Sequence, residues 1–153
     1  ITYSRDEAKV TLVGVEDRPG VAARIFGALA DANVNVDMIV QSVSPDGRST
    51  DLTFTLAASD LARARDVLAP VLRDLGCRDL VADGGIVKIS VIGVGMRSHA
   101  GIAHRMFNVL AERGINIQAI STSEIKISVL IPEEYTELAI RTLHAAYGLD
   151  ADA

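Results

Sequence analysis

Apolar residues recur along this chain with two periods, and the period switches at Gly, Pro and Asn. Val10–Val15 alternates, with Val10, Leu12 and Gly14 on one face, as a half-buried strand does. From Val21 the spacing becomes helical: Val21, Ile25, Leu29 and Ala32 share one stripe. Pro19 fixes φ for entry into that helix, Asp17 is the expected N-cap, and Asn33 is a stop signal. Alternation returns over Val34–Val43. Val34, Val36, Met38 and Val40 point one way and Asn35, Asp37, Ile39 and Gln41 the other, as in a sheet covered on one face. The cluster Ser44-Pro45-Asp46-Gly47-Arg48 closes a hairpin onto Thr50–Leu56, with Leu52, Phe54 and Leu56 inward. Ser59 is the expected cap of a second helix carrying Leu61, Ala64, Leu68, Val71, Leu72 and Leu75. Pro70 should kink or split it, and Gly76 should end it. Arg78–Ala82 reads as a short fourth strand, and Asp83-Gly84-Gly85 as a linker.

The pattern then repeats. Lys88 and Gly93 stand 79 residues after Lys9 and Gly14, while Gly101 and Asn116 stand 81 after Gly20 and Asn35, because the second copy has two more loop residues. Strand Val87–Val94 leads through Gly95–Ala100 to a helix with Ile102, Met106 and Leu110 on one stripe, stopping at Gly114. Strands Ile115–Ser121 and Glu124–Ile131 follow. Pro132-Glu133-Glu134 opens a last helix with Tyr135, Leu138, Ala139, Leu143 and Ala146 on its buried stripe. Gly148 stops it before the frayed acidic tail Asp150–Ala153. A repeat of about 80 residues is too long for a solenoid unit, so the chain reads as two duplicated domains, residues 5–84 and 85–153. Each is βαββα, and only the first shows a terminal strand. Two helices on one face of an antiparallel sheet make a ferredoxin-like α+β layer pair. The orphan segment Ile1–Ser4 is the candidate for the fourth strand of the second domain.

Composition narrows the function. Of 153 residues, 49% are hydrophobic but only 4% aromatic, with no Trp, so the core must be aliphatic. A net charge of −5 argues against a basic nucleic-acid or lipid-binding surface. The single Cys77 excludes a disulfide framework and a cysteine metal site within one chain, and is expected to be a reduced structural thiol. His99, His104 and His144 lack ligand spacing, so no metal is expected; Met38, Met96 and Met106 read as gap-fillers. With no apolar run of 18 residues and no leader, the expectation is a soluble, cytoplasmic chain without membrane partners. It opens on Ile1 rather than Met, as a piece of a longer protein would.

The turn Asp17-Arg18-Pro19-Gly20-Val21-Ala22, the helix after it and Asn35-Val36-Asp37 resemble the signature of the ACT domain, a small-molecule sensing module. Glu7-Ala8-Lys9-Val10-Thr11, Asn35-Val36-Asp37-Met38-Ile39-Val40-Gln41 and Ile120-Ser121-Thr122-Ser123-Glu124-Ile125-Lys126-Ile127-Ser128-Val129 resemble the regulatory region of bacterial aspartokinase. No stretch resembles that family's kinase domain, so no catalytic residue is expected. The resemblance implies a regulatory subunit or an excised regulatory domain. It implies a homodimer in which the first domain of one chain meets the second domain of the other, with the effector between them, and a catalytic aspartokinase subunit as partner. The effectors it implies are threonine, lysine or both, mediating feedback inhibition of aspartate phosphorylation in lysine, threonine and methionine biosynthesis; no cofactor is implied. The matching effector positions are Asp17, Arg18, Pro19, Gly20, Val21, Ala22, Asn35, Val36, Asp37 and Gln41 in the first domain. In the second they are Ile102, Ala103, Asn116, Ile117, Ser123 and Glu124.

These residues also make chemical sense. A free amino acid carries a carboxylate and an ammonium a few ångströms apart. A helix starting near Gly20 offers unpaired N–H groups and a positive dipole end to the carboxylate. Asp17 and the carbonyls around Asn35–Asp37 suit the ammonium, and Gln41, on the same strand face as Asn35, adds a hydrogen bond. The second loop, Met96-Arg97-Ser98-His99-Ala100-Gly101, lacks the Asp-x-Pro-Gly chemistry and should not make an equal cradle. Three other functions compete with this reading. A stand-alone ACT sensor would act on another partner. An acylphosphatase on this fold needs an arginine-bearing phosphate cradle, but Arg18 runs directly into Pro19. An RNA-binding module stacks bases on strand aromatics, and the third strand offers only Phe54.

Overall fold

The computed structural model describes residues 1–93, 99–123 and 125–147. The expectations for Gly95–Ser98, Glu124, Gly148 and the acidic tail lie outside them. The chain divides into two compact units: Asp6–Gly84, and Gly85–Ala153 together with Ile1–Arg5. Two long strands, β1 (Thr2–Glu16) and β4 (Asp79–Ile92), contribute to both. Two expectations are corrected here. Ile1–Ser4 and Val10–Val15 are not separate strands but, from Thr2 on, lie along β1, and Asp83-Gly84-Gly85 is not a linker loop but strand. No helix among the described residues is long and apolar enough to cross a membrane.

In the first unit β1 is followed by α1 (Val21–Asp31), β2 (Val36–Val43), β3 (Ser49–Leu56) and α2 (Leu61–Asp74), and the chain returns in β4. The strand order is β2-β3-β1-β4, and β1 and β2 both pair antiparallel with β3. The helical stripe predicted from spacing is the buried one: Val21, Ile25 and Leu29 of α1 and Ala64, Leu68 and Leu72 of α2 meet Ala8, Val10 and Leu12 of β1 and Leu52, Phe54 and Leu56 of β3. Each large aliphatic side chain so buried contributes roughly 1.5–3 kcal/mol. Phe26 meets Phe54 edge to face at 5.5 Å between centroids. Arg24 of α1 pairs with Asp74 of α2 at 2.9 Å on the exposed side. Asn33, at φ 58°, ends the first helix turn as expected, and Gly76, at φ 67°, ends the second.

The departures have local causes. α1 has Gly20 at its N-cap and no side-chain cap, so Asp17 does not cap it. Ser59 does not cap α2 either, since a 3-10 turn over Ala58–Asp60 leads into the helix. α2 runs through Pro70 without splitting. Proline withdraws the hydrogen bond its own N–H would give and crowds the carbonyl four residues back, but Pro70 lies on the exposed face, where that carbonyl can tilt toward water. In β1 the register shifts between Leu12 and Val15, with Gly14 at φ 69°. This is a glycine bulge, and it makes Val15, not Gly14, the next inward residue. A Cβ on Gly14 would sit 2.5 Å from Arg78 Nε, which the flexible arginine side chain must move to clear, so it is chiefly the φ of 69° that demands glycine there.

In the second unit β4 is followed by α3 (His99–Glu112), β5 (Ala119–Thr122), β6 (Lys126–Pro132) and α4 (Thr136–Ala146). The strand order is β1-β4-β6-β5, so the opening residues of the chain lie beside β4. The core is Val87, Ile89, Met106, Leu110, Ile127, Val129, Ile131, Ala139 and Leu143, with Ile1 packed against it. The strand expected over Ile115–Ser121 is shorter, because Ile115–Gln118 is irregular, and Pro132 closes β6 before a 3-10 turn rather than opening the helix directly. Tyr147 Oη donates to the Ile102 carbonyl at 2.7 Å, tying the end of α4 to the first turns of α3. Burial there pushes the Tyr147 phenol above its ordinary pKa, so it keeps the proton it donates.

Candidate effector site

Antiparallel register sorts the expected site residues into two ends of each sheet. In the first unit Glu16 faces Ser49 and Val43 faces Thr50, so the Asp17–Gly20 turn and the end of β2 lie together. Val36 faces Leu56, at the other end of β3. Seven residue steps along β3 take Ser49 to Leu56, roughly 23 Å at strand rise. Asn35, Val36 and Asp37 therefore cannot join Asp17 and Gly20 of the same unit around one amino acid. The single cradle expected from the sequence is corrected on this point.

Gln41 lies closer to that end, and on a face that the alternation rule missed. The register of β2 against β3 shifts between Val36 and Ile39. One extra residue on one strand reverses which face each later side chain points to. Beyond the bulge Ile39 faces Phe54 and Gln41 faces Leu52, both inward-facing residues of β3. Directly opposed residues share a face, so Gln41 stands on the helix side of the sheet. Val40, expected inward with Met38, is instead 38% exposed. Asn35 and Gln41, expected on one face, are on opposite ones. The bulge itself is held by the Met38 N–H, which donates to Thr55 Oγ1 at 3.0 Å.

At the Gly20 end the polar groups are free to bind. The Val21 N–H reaches the Arg18 carbonyl at 3.4 Å and the Arg24 N–H makes the first intrahelical bond to Gly20. The N–H groups of Ala22 and Ala23 thus have no acceptor among the described residues, and the first turn of α1 carries no acidic side chain. That leaves an unneutralised positive end. Gly20 has φ 91° with open space around it, so its backbone conformation, not crowding, demands glycine. The Asp17 N–H donates to the Arg48 carbonyl at 3.2 Å, which fixes the turn against the hairpin, while the Asp17 carboxylate and the Gln41 amide engage no described residue. Arg18 is taken up by Glu16 at 3.1 Å in an exposed pair, and Pro19 is exposed beside it.

The second unit repeats the sorting. Ile92 faces Lys126, and Gly93 N–H and Ser123 N–H bond the Ile125 and Lys126 carbonyls, so Ser123 lies at the end from which the chain passes to α3. Ile102 and Ala103 are half-buried in the first turns of α3, packed on the core. Asn116 and Ile117 lie at the other end, where the Gln118 N–H donates to the Leu130 carbonyl. Gln118 Oε1 is buried there without a donor, a polar atom the sequence reading passed over. No cluster of His, Cys, Asp or Glu among the described residues could hold a metal. Cys77 Sγ donates to the Val13 and Asp79 carbonyls, and burial pushes its thiol pKa up, as suits a structural residue.

Residues 9–73 and residues 89–147 each match the ACT domain family. With two βαββ-based α+β units in tandem, this is a chain of paired ACT domains. It is 55% identical over its whole length to an aspartate kinase of Stutzerimonas stutzeri, of which it spans 37%. It superposes with a TM-score of 0.87 on a chain from the crystal structure of aspartokinase alpha and beta subunits, 46% identical and covered to 96% on both sides. The regulatory subunit of aspartate kinase from Thermus thermophilus, crystallised in a ligand-free form, is 38% identical with a TM-score of 0.88, covered to 95% on both sides. The chain belongs to the aspartokinase family, as its regulatory ACT region, and spans little more than a third of the length of the full aspartate kinases it matches.

Proposed function

We propose that this regulatory region binds an end-product amino acid, threonine with or without lysine, and passes feedback inhibition to aspartate phosphorylation in a catalytic aspartokinase partner. The observation that carries the reading is that three groups without a described partner lie toward the same end of the first sheet. These are the N–H groups at the start of α1, the Asp17 carboxylate and the Gln41 amide. The α1 N–H groups suit the effector carboxylate, Asp17 its ammonium, and Gln41 its side chain or carboxylate. Arg18, Pro19, Val21 and Ala22 shape the turn that holds them. The groups at the other end of each sheet, Asn35–Asp37 and Asn116–Ile117, serve the same effectors only through a second copy of the chain, which is why the site needs a homodimer. Ile102, Ala103, Ser123 and Glu124 belong to the same composite arrangement. No cofactor takes part, and the setting is cytoplasmic.

The test is a thermal-shift panel of the twenty amino acids on this chain. A ligand specific to the native state raises stability by about 2.7 kcal/mol at a hundred times its Kd. Threonine, lysine or their mixture should raise the melting temperature and no other amino acid should match them. A flat panel would end the proposal, as would light scattering that finds a monomer at every concentration with and without threonine.

A further inference from the structure

The second unit carries a cleft that the amino-acid site does not use. It has a volume of 480 Å³ and is lined by Tyr3 and Arg5 of β1 and by Glu137, Ile140, Arg141 and His144 of α4. The spacing shows that it is built from one face of each element. Tyr3 and Arg5 are two apart on a strand, and the four α4 residues fall at i, i+3, i+4 and i+7, one helical stripe. This stripe is distinct from Ala139 and Leu143, which enter the core. Neither guanidinium is neutralised. Glu137 and Arg141 have the i, i+4 spacing of a helix ion pair, yet neither Arg141 nor Arg5 takes part in an ion pair or hydrogen bond with any described residue. Arg5 instead lies over the Tyr3 ring, with Cζ 5.8 Å from the centroid, which orients its fork. In a chain of net charge −5, two unpaired guanidiniums and an imidazole facing one cleft are a local reversal of sign.

We propose that this cleft binds a small dianion of the phosphate or dicarboxylate class. Each guanidinium can meet one oxygen pair in a bidentate fork, and His144 can give a third hydrogen bond. Tyr3 and Ile140 supply an apolar wall that suits a short carbon chain between two carboxylates. Glu137, also in the lining, disfavours anions large enough to crowd it. All six residues belong to Ile1–Arg5 and Gly85–Ala153, so the proposal does not depend on the effector site near Gly20.

The experiment is an NMR titration of the chain with sodium phosphate and with sodium succinate, against sodium chloride at matched ionic strength. It follows the His144 ring proton, assigned with His144→Asn, and the Tyr3 ring. Saturable shifts with phosphate or succinate and none with chloride are expected. Arg141→Gln and Arg5→Gln should each weaken binding about ten- to a hundred-fold, the loss of a charge-assisted pair. The control Arg113→Gln removes the same charge from an exposed loop outside the cleft and should leave affinity unchanged. Shifts that never saturate would overturn the proposal. So would affinity kept by both cleft variants, or reduced equally by Arg113→Gln.

Discussion

Thr11 and Thr53 face each other across β1 and β3 in the first unit, their hydroxyls 3.1 Å apart; Ser90 and Ser128 do the same across β4 and β6 in the second, at 2.7 Å. Both pairs lie on the face away from the helices, at equivalent steps of the repeat. The two units thus share their layers and even a hydroxyl clasp, yet they treat their strand ends differently. In the first, bulges interrupt β1 at Gly14 and β2 before Ile39. In the second, the registers Ile86–Ile92 against Pro132–Lys126 and Ala119–Thr122 against Leu130–Ile127 run without a shift. A duplicated fold has been kept while single-residue insertions re-aim particular side chains. The first unit gains Gln41 on the helix side of its sheet and an uncapped helix start, along with the Asp-x-Pro-Gly turn that the second lacks.

The largest expected effect breaks the comparison at the cores. Phe54 is fully buried and meets Phe26 edge to face, so Phe54→Ala should cost about 3–5 kcal/mol by removing packing the first unit cannot refill. Met106→Ala in the second, fully buried in an aliphatic core, should cost about 2–5 kcal/mol. Urea melts with hydrogen exchange read by unit should show each loss in its own half. Equal loss of protection in both halves would mean that the units do not unfold separately.

Next come the bulges and the borrowed strand. Gly14→Ala forces an alanine to φ 69° and against Arg78, for about 1–3 kcal/mol. Adding Arg78→Ala should recover only the steric part and leave the backbone part, measurable as a double-mutant cycle in urea. Deleting Ile1–Ser4 should lower protection along β4 and β6 of the second unit, since those residues belong with it, and leave Val10–Val15 unchanged. Loss confined to Val10–Val15 would contradict that.

The smaller effects sharpen the comparison. Ser90→Ala leaves the buried Ser128 hydroxyl without its partner and should cost about 1–3 kcal/mol; Thr11→Val acts on a half-buried pair and should cost less, about 0.5–1.5 kcal/mol. Cys77 adds a pH signature belonging to the first unit alone. Its folded pKa is raised by burial, so the folded chain holds the thiol proton where the unfolded chain has lost it. Stability should therefore decline as pH rises above the ordinary thiol value of about 8.5, and Cys77→Ala should remove that part of the slope.

Much of the fold was legible because long periodic segments leave little choice. The stripes Val21-Ile25-Leu29 and Ala64-Leu68-Leu72 are the buried ones, and the repeat from Lys9 to Lys88 foretold two copies of one layout. What stayed hidden was tertiary. Asp83-Gly84-Gly85 has the composition of a linker, but the hydrogen bonding of β4 holds it extended. Asp17 has the chemistry of a cap, but Gly20 took that place, leaving the carboxylate free. The bulge in β2 has no sequence mark. Strict alternation of Val34 through Gln41 therefore assigned Gln41 the wrong face and put Asn35 into a cradle some 23 Å from its supposed partner. The Tyr3–α4 cleft joins residues more than 130 positions apart, which no local pattern reports.

The account stands or falls on which end of the first sheet holds the amino acid. Calorimetric titration of threonine into the chain tests this with Gln41→Ala and Asp17→Ala. Neither side chain bonds a described residue, so neither variant should change stability by more than about 0.5 kcal/mol. Each should weaken threonine about ten- to a hundred-fold, the loss of one charge-assisted hydrogen bond. If both variants bind threonine as tightly as the parent, the effector does not sit between the start of α1 and Gln41, and the central claim is wrong.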